Sequence, residues 1–448
     1  MGTTRRHFLK TATAAGAAAA SASASGRQAK VSANDKIRIA TIGIGGMGSG
    51  DTRYALSIPG IELAAVCDVY DGRLRRAREV LGNQMFTTRD YREVLARPDI
   101  DAVIIATPDH WHSRIAIDAL RAGKDVYLEK PMVRTISEGK PLIEAQAASG
   151  RLLQVGSQYV SSIIYHKTRD LIRAGAIGEL NMVEAWLDRN TALGAWQYSI
   201  PPGGSEENID WDRFLGSAPK RPFEPIRLFR WRNYRDYGTG VAGDLFVHLL
   251  SGLHIATGAL GPTRVFATGG LRYWKDGRDV ADVMLALLDY PATERHPAFN
   301  LALRVNLKSG VAEEQFGFRF VGSEGTLMAG PSVKVAKSSP ETEPGYTIGT
   351  FPKSVQQEFI EKYRLRYPAR PAAAGDLRPE TVDTYTPPAG YDAHLEHHKV
   401  FWAAVRSREP VVEDAVFGFR AAGAALLANV SYFEDRLCKW NPETMTAS

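Results

Sequence analysis

The sequence predicts a two-part fold of the α/β plus α+β class: an N-terminal doubly wound parallel sheet, then a domain on a large, mostly antiparallel open sheet. Three features predict it. A short apolar strand from Lys36 runs straight into a glycine-rich turn. Strand and helix signals then alternate up to Gly156, and four strand-like runs follow one another between Arg264 and Val321 with little helix between them. Alternation brings parallel strands together through crossovers, whereas consecutive strands favour antiparallel pairing.

Composition agrees with a folded chain of two to three domains, with 448 residues, 44% apolar and 23% charged. Of the 55 basic residues, Arg5, Arg6 and Lys10 lie in the first ten positions; the other 52 face 50 acids, a balance that gives no footprint for nucleic acid. Cys67 and Cys438 are too few for a disulfide framework or a four-thiolate zinc site.

Residues 1–33 read as an address and linker. Met1–Lys10 is M-G-T-T-R-R-H-F-L-K, followed by a weakly apolar Ala/Thr/Ser stretch to Ser25 with A-x-A cleavage sites at Ala20, Ala22 and Ala24. This resembles a twin-arginine signal, which implies export of a folded, cofactor-loaded chain to the periplasm by the twin-arginine machinery. Elsewhere no run reaches the ~18 apolar residues of a membrane span, so no membrane insertion of the mature chain is expected.

Residues 34–156 read as a nucleotide-binding domain. Gly43-x-Gly45-x-x-Gly48 lies between the first strand and a helix-compatible stretch, Gly50–Leu56, and a second strand, Ile61–Val66, ends at Asp68. Gly43 permits the tight turn, Gly45 lets backbone approach a pyrophosphate, and Gly48 lets helix pack on strand; with Gly46 and Met47 the loop sets phosphate at the positive helix end. Asp68 can accept from ribose hydroxyls, which favours NAD over NADP, although Arg73 and Arg75 are near. Ile100–Ala106 is a buried strand, His112–Arg121 an amphipathic helix stopped by Gly123, and Asp125–Leu128 a strand. Ser137 caps a helix toward Ser149 that Gly150 ends, and Leu152–Val155 begins one more strand. Two motifs, Thr107-Pro108-Asp109-His110-Trp111-His112 and Glu129-Lys130-Pro131, fall at the carboxyl ends of strands, where such sheets bind ligands.

Residues 157–448 read as a substrate and oligomerisation domain. It has a helix at Ile163–Ala174 and strands at Glu179–Asp188, Arg264–Gly269, Ala281–Tyr290, Asn300–Leu307 and Glu313–Val321. Ser338–Gly390 reads as a long loop with one helix near Val355–Tyr363, and C-terminal helices at about 391–435 are expected to pack toward the nucleotide domain. A glycine-rich turn from Gly238 starts a helix with Asp244 and His248 four apart, hence on one face. A carboxylate beside an imidazole raises its basicity and orients it for proton transfer. Between Asp188 and Tyr237, aromatic residues such as Tyr198 and Trp231 interleave with Arg227, Arg230, Arg232 and Arg235; the rings suit stacking on a sugar and the arginines can clamp hydroxyls or a carboxylate, while a loop anchor or a subunit interface suits the stretch better. His394 and His398 with Glu396 suit a solvated helix or an oligomer contact better than a metal site, and no metal is expected.

Together these motifs, with Gln154-Val-Gly-Ser-Gln158 and the C-terminal run from Val412, resemble the Gfo/Idh/MocA family of sugar and cyclitol oxidoreductases, which includes glucose-fructose oxidoreductase and inositol dehydrogenase. The resemblance implies that Lys130, Asp244 and His248 are catalytic and face the substrate carbinol. It also implies cofactor contacts from Thr107, Pro108, His110, Glu129 and Lys130, and a structural role for His112. Oxidising a secondary alcohol needs a base, an alkoxide stabiliser and a positioned cofactor. Either His248 is the base, oriented by Asp244 with Lys130 at the alkoxide, or Lys130 is the base and His248 orients. The expected activity is NAD(P)-dependent oxidation of a sugar, sugar derivative or cyclitol by a homo-oligomer with tightly bound NAD. The alternatives are a redox-neutral NAD-dependent glycoside hydrolase, working by transient oxidation and elimination, and a non-catalytic sugar-binding protein.

Overall fold

The computed structural model describes residues 36–311, 314–338, 346–367 and 382–448, and Ile37–Ser448 form one compact unit. The expected signal, residues 1–33, lies outside the described residues.

The first sheet alternates strand and helix as β1 (Ile37–Ile42), α1 (Gly46–Leu56), β2 (Ile61–Cys67), α2 (Asp71–Leu81), β3 (Phe86–Thr88), α3 (Tyr91–Leu95), β4 (Ala102–Ile105), α4 (His112–Arg121), β5 (Asp125–Glu129), α5 (Gly139–Ser149) and β6 (Leu153–Gly156). All pairings are parallel, in the order β3-β2-β1-β4-β5-β6. Ala102, Val103, Ile104 and Ile105 are wholly buried, as a central strand covered on both faces must be. Strand order reverses between β1 and β4, which opens a crevice at their carboxyl ends. One cap differs from expectation. Thr135 and Glu138 form a reciprocal capping box ahead of α5, and Ser137 lies inside that single turn, because the chain tightens there before the α-helix begins.

After α6 (Ile163–Arg173) and β7 (Leu180–Asp188) come two short helices, α7 (Trp211–Leu215) and α8 (Pro225–Phe229), then α9 (Val247–Thr257). The remaining elements are β8 (Arg264–Gly270), β9 (Val283–Tyr290), β10 (Phe299–Asn306), β11 (Gln315–Gly322), β12 (Gly325–Ala329), β13 (Val333–Lys337), α10 (Lys353–Arg366), β14 (Val382–Tyr385), α11 (Ala393–Ser407), α12 (Ala415–Glu434), β15 (Cys438–Asn441) and β16 (Thr446–Ala447). Ten strands form a sheet in the order β14-β13-β12-β11-β7-β10-β9-β8-β15-β16, antiparallel except where β7 meets β10. Period-two burial gives it two faces: Phe299, Leu301, Leu303 and Val305 of β10 point into the core, while Asn300 and Arg304 point out.

Two expectations change here. The stretch 338–390 is not simply a loop with a helix, because β14 extends the sheet beyond β13. And α12 is long and apolar enough to cross a membrane by length and composition, though most of it is buried inside the fold. Its small residues serve close packing. A Cβ at Gly418 would come within 2.6 Å of Val155 on β6, and one at Gly423 within 2.7 Å of Trp440 on β15. The helix therefore links both sheets to one hydrophobic core.

Candidate active site

Backbone sets one wall of the crevice. Gly43 turns the chain at φ +88°, where a Cβ would lie 2.7 Å from the Ala106 carbonyl; a Cβ on Gly48 would lie 1.9 Å from the Gly43 carbonyl oxygen. α1 starts with Gly45 at its N-cap and no side-chain cap, and nothing lies within 4 Å of a Cβ built on Gly46. The first amides of α1 thus open on the cleft. At the end of β2 the Asp68 carboxylate accepts from the backbone amides of Ile44 and Tyr70, both at 3.0 Å, and meets Arg73 at 3.4 Å.

The cleft holds about 470 Å³. Gly43, Gly45, Gly46, Met47, Asp68, Thr107 and Pro108 form its floor; Gly48, Glu129 and Lys130 are not on its wall, and neither are Asp244 and His248. The residues that sequence left open between a platform and an anchor form the roof, including Leu193, Tyr198, Phe229, Trp231 and Arg232. The roof has its own small core around Trp211, Phe214 and Tyr237, packed against Val69 and Tyr70 just past β2. Free helix amides, a tight glycine turn and a carboxylate at the end of β2 are the donor and acceptor set that fits a dinucleotide.

His110, expected at the cofactor, lies behind the roof of the cleft. Its Nε2 donates to the Phe214 carbonyl at 2.8 Å and its ring packs among Trp111, Phe214 and Tyr237, so it braces the roof and does not line the cleft. Burial pushes its pKa down to about 4. The ring nitrogens of His112 lie 2.9 and 2.7 Å from the carbonyl oxygens of Thr107 and Pro131; burial lowers its pKa to about 4, so the neutral ring donates to one of the two.

Lys130, just past β5, reaches across to the second part of the chain. Its Nζ donates to both the carbonyl oxygen and Oδ1 of Asp244, each at 2.9 Å. Arg232 Nε donates to the same Oδ1 at 3.2 Å. Burial works to raise the Asp244 pKa, but Lys130 and Arg232 outweigh it and hold the carboxyl well below its usual range. Glu129 accepts from Gln158 Nε2 at 2.6 Å, and burial raises it well above the carboxylate range.

Asp244 and His248 do not meet as expected. Residues Ala242–Phe246 form a π turn before α9, and its wider ring takes residues four apart out of register. Asp244 is held by Lys130 and Arg232, and His248 Nδ1 is buried with no hydrogen-bond partner among the described residues. Burial first, and Lys130 second, push the imidazole well below its ordinary pKa, against a smaller opposing effect of Asp244. Two residues that matter went unnoticed in the sequence. Arg232 was one of four arginines with no mark to separate it. Asp109 is buried, accepts from Thr239 N and Oγ1 at 3.0 and 2.8 Å, and so anchors the turn that leads to Asp244. A bond between residues 130 positions apart leaves no local signal.

The family model described as oxidoreductase family, NAD-binding Rossmann fold, matches residues 37–157. Among curated proteins, Glycosyl hydrolase family 109 protein 1 of Shewanella sp. (strain MR-4) is 32% identical over 161 residues, covering 33% of this chain and 34% of that protein. Inositol 2-dehydrogenase of Salmonella paratyphi B is 32% identical over 149 residues, covering 33% and 44%. The chain thus spans a third to under half of the length of these curated relatives. A solved levoglucosan dehydrogenase in complex with NADH and levoglucosan superposes with TM-score 0.65 at 17% identity, over 90% of this chain and 99% of that one. An oxidoreductase domain protein from Kribbella flavida gives 0.64 at 20% identity, over 90% and 99%. These structures share the whole two-sheet fold. With the glycine loop, Asp68 and the open start of α1 in the positions described above, residues 37–157 form an NAD-binding Rossmann domain that matches the model of the Gfo/Idh/MocA oxidoreductase family.

Proposed function

We propose that this chain is an NAD-dependent enzyme that oxidises a secondary alcohol of a sugar, sugar derivative or cyclitol, with its nucleotide retained between turnovers. The observation that carries the reading is the Lys130–Asp244 pair at the carboxyl end of β5, near a His248 whose Nδ1 has no hydrogen-bond partner among the described residues. NAD, when bound, supplies the hydride acceptor. The glycine loop, Asp68, Thr107 and Pro108 would hold it.

Lys130 uses two N–H bonds on Asp244 and keeps a third for a substrate oxygen, where its charge favours the developing alkoxide. His248 is neutral at neutral pH, so it can accept the hydroxyl proton. Lys130 already donates two bonds to Asp244 and is oriented as a donor, so the proton is assigned to His248. Asp244 accordingly positions Lys130 rather than His248.

A second reading is favoured by the family 109 relatives: the same groups would begin a redox-neutral glycoside hydrolysis, in which transient oxidation is followed by elimination. The Arg5-Arg6 leader supports twin-arginine export to the periplasm, where a retained nucleotide would suit either reaction. Phe266, Leu285 and Leu287 stand 40%, 46% and 61% exposed on the outer face of β8 and β9 and support a homo-oligomer.

The test is to denature the purified protein, identify any released nucleotide by mass, and compare Lys130→Met. About one NAD(H) per chain is expected. The variant should keep that nucleotide and lose about a hundredfold or more in turnover of sugars or glycosides. Turnover unchanged by Lys130→Met would remove the reading.

A further inference from the structure

We infer that the substrate of this site is an acidic sugar, whose carboxylate is taken by the two terminal nitrogens of Arg232. The inference rests on the reading of Lys130, Asp244 and His248 above and adds the charge of the molecule they act on.

The four arginines between Arg227 and Arg235 are not equivalent. Arg227 pairs with Glu224 and Asp236 and lies over the Tyr234 ring. Arg230 donates to the Tyr198 carbonyl and to Gln197 Oε1. Arg235 is exposed and packs on Phe433, away from the cleft. Arg232 alone lines the cleft, with a side chain only 16% exposed and its guanidinium 4.2 Å from the Trp231 ring centre. Its Nε is used on Asp244, but among the described residues neither terminal nitrogen has a hydrogen-bond partner. A largely desolvated guanidinium with an unfilled planar fork calls for a ligand acceptor, and a carboxylate matches that fork in a bidentate way.

The surrounding charge points the same way. Lys130 and Arg232 both draw on one oxygen of one carboxylate, Asp244. Burial pushes Asp109 up to about 7 and Glu129 well above the carboxylate range, so neither is a full counter-charge at neutral pH. Arg189 acts electrostatically on both Asp244 and His248 but has its own partner in Glu314. Two cations against one anion leave one positive charge in excess within a site of low dielectric. A neutral sugar leaves that excess unanswered, and a carboxylate cancels it. A phosphoryl group, with about two negative charges at neutral pH, would overshoot it. Tyr198 and Trp231 line the same cleft, and aromatic side chains stack well on sugar rings.

The experiment offers the nucleotide-loaded protein matched pairs, D-glucuronate with D-glucose and D-galacturonate with D-galactose, together with D-glucose 6-phosphate. Binding is read by calorimetry and turnover by nicotinamide absorbance. At least one acid should bind and turn over about tenfold or more better than its neutral partner and than the phosphate, as a charge-assisted pair of hydrogen bonds allows. In Arg232→Gln that ratio should collapse to near one, while Arg232→Lys, which keeps the charge and loses the fork, should retain part of it. A neutral sugar or the phosphate doing as well as the acids, or Arg232→Gln weakening acid and neutral sugars by the same factor, would overturn the inference and leave the proposed function standing. Acids that bind through Arg232 without turnover would leave the charge inference standing and remove the function. Binding of none would remove both.

Discussion

On the floor of the cleft a Cβ at Gly48 would overlap the Gly43 carbonyl oxygen at 1.9 Å, whereas on the roof Leu193 stands 70% exposed over the same space. The floor is a backbone surface: its shape is set by how closely β1, α1 and the end of β4 approach, and residue identity follows from that approach. The roof is a side-chain surface on short helices with a separate small core, and many residues could fill its positions without disturbing the sheet below. Such a division lets one nucleotide-binding floor serve different substrates, because the parts that discriminate between them are carried by the roof and by the turn before α9.

The sharpest break in this contrast is Gly48→Ala. No rotamer change relieves an overlap between a Cβ and a backbone carbonyl, so α1 must move away from β1 and carry its free amides with it. The purified variant should contain no detectable nucleotide. Retention at the wild-type level would show that the floor is not set by this contact. Leu193→Ser tests the other side. Its side chain buries little apolar area in the fold, so the melting temperature should stay unchanged. Loss of an apolar lip over the nucleotide should raise its dissociation constant about three- to tenfold, read by competition with a fluorescent nucleotide analogue. A fall in melting temperature as large as that of Gly48→Ala would mean that the roof is as constrained as the floor.

The same contrast explains what could be read from the amino-acid sequence. Gly43, Gly45 and Gly48 were legible because close backbone approach excludes other residues, and the parallel order of the first sheet follows from its strand and helix alternation. Lys130 and Asp244 were each recognisable, but their mutual bond spans 114 positions and nothing local announces it. The spacing of Asp244 and His248 suggested a dyad because it was read on an α-helix, and a π turn of five residues undoes that reading. The family resemblance placed His110 at the cofactor, and a single turn, Asp109–Trp111, carries it toward Phe214. Of four similar arginines, only the local turn at Trp231–Asn233 decides which one faces the cleft. The strands β12 to β16 went unseen because they are short and lie toward the two edges of the sheet, where pairing depends on the neighbours already in place.

Titration gives the smallest effect and the finest test of the contrast, through carboxyls buried in the core behind the floor. Burial raises Glu413 to about 8 and Asp109 to about 7, and also raises Glu129 and Asp51. A carboxyl whose folded pKa is above its unfolded value holds a proton that the unfolded chain has lost. Its contribution to stability is complete below the unfolded pKa and disappears as pH rises through the folded one, at ~1.4 kcal/mol per pH unit for each such group. The buried histidines act in the opposite sense: burial lowers His112 to about 4 and His254, His397 and His398 to about 3, so the unfolded chain gains protons first as pH falls below 6.5. Above 6.5 the histidines of the unfolded chain lose their remaining protons within about one pH unit, and beyond that only the carboxyls remain. The melting temperature should therefore fall as pH approaches 8, and Glu413→Gln, which keeps an oxygen for the Ser251 hydroxyl, should flatten that fall. A melting temperature that rises over this interval would show that these carboxyls are ionised in the folded protein. The core behind the floor would then be more hydrated than its packing implies.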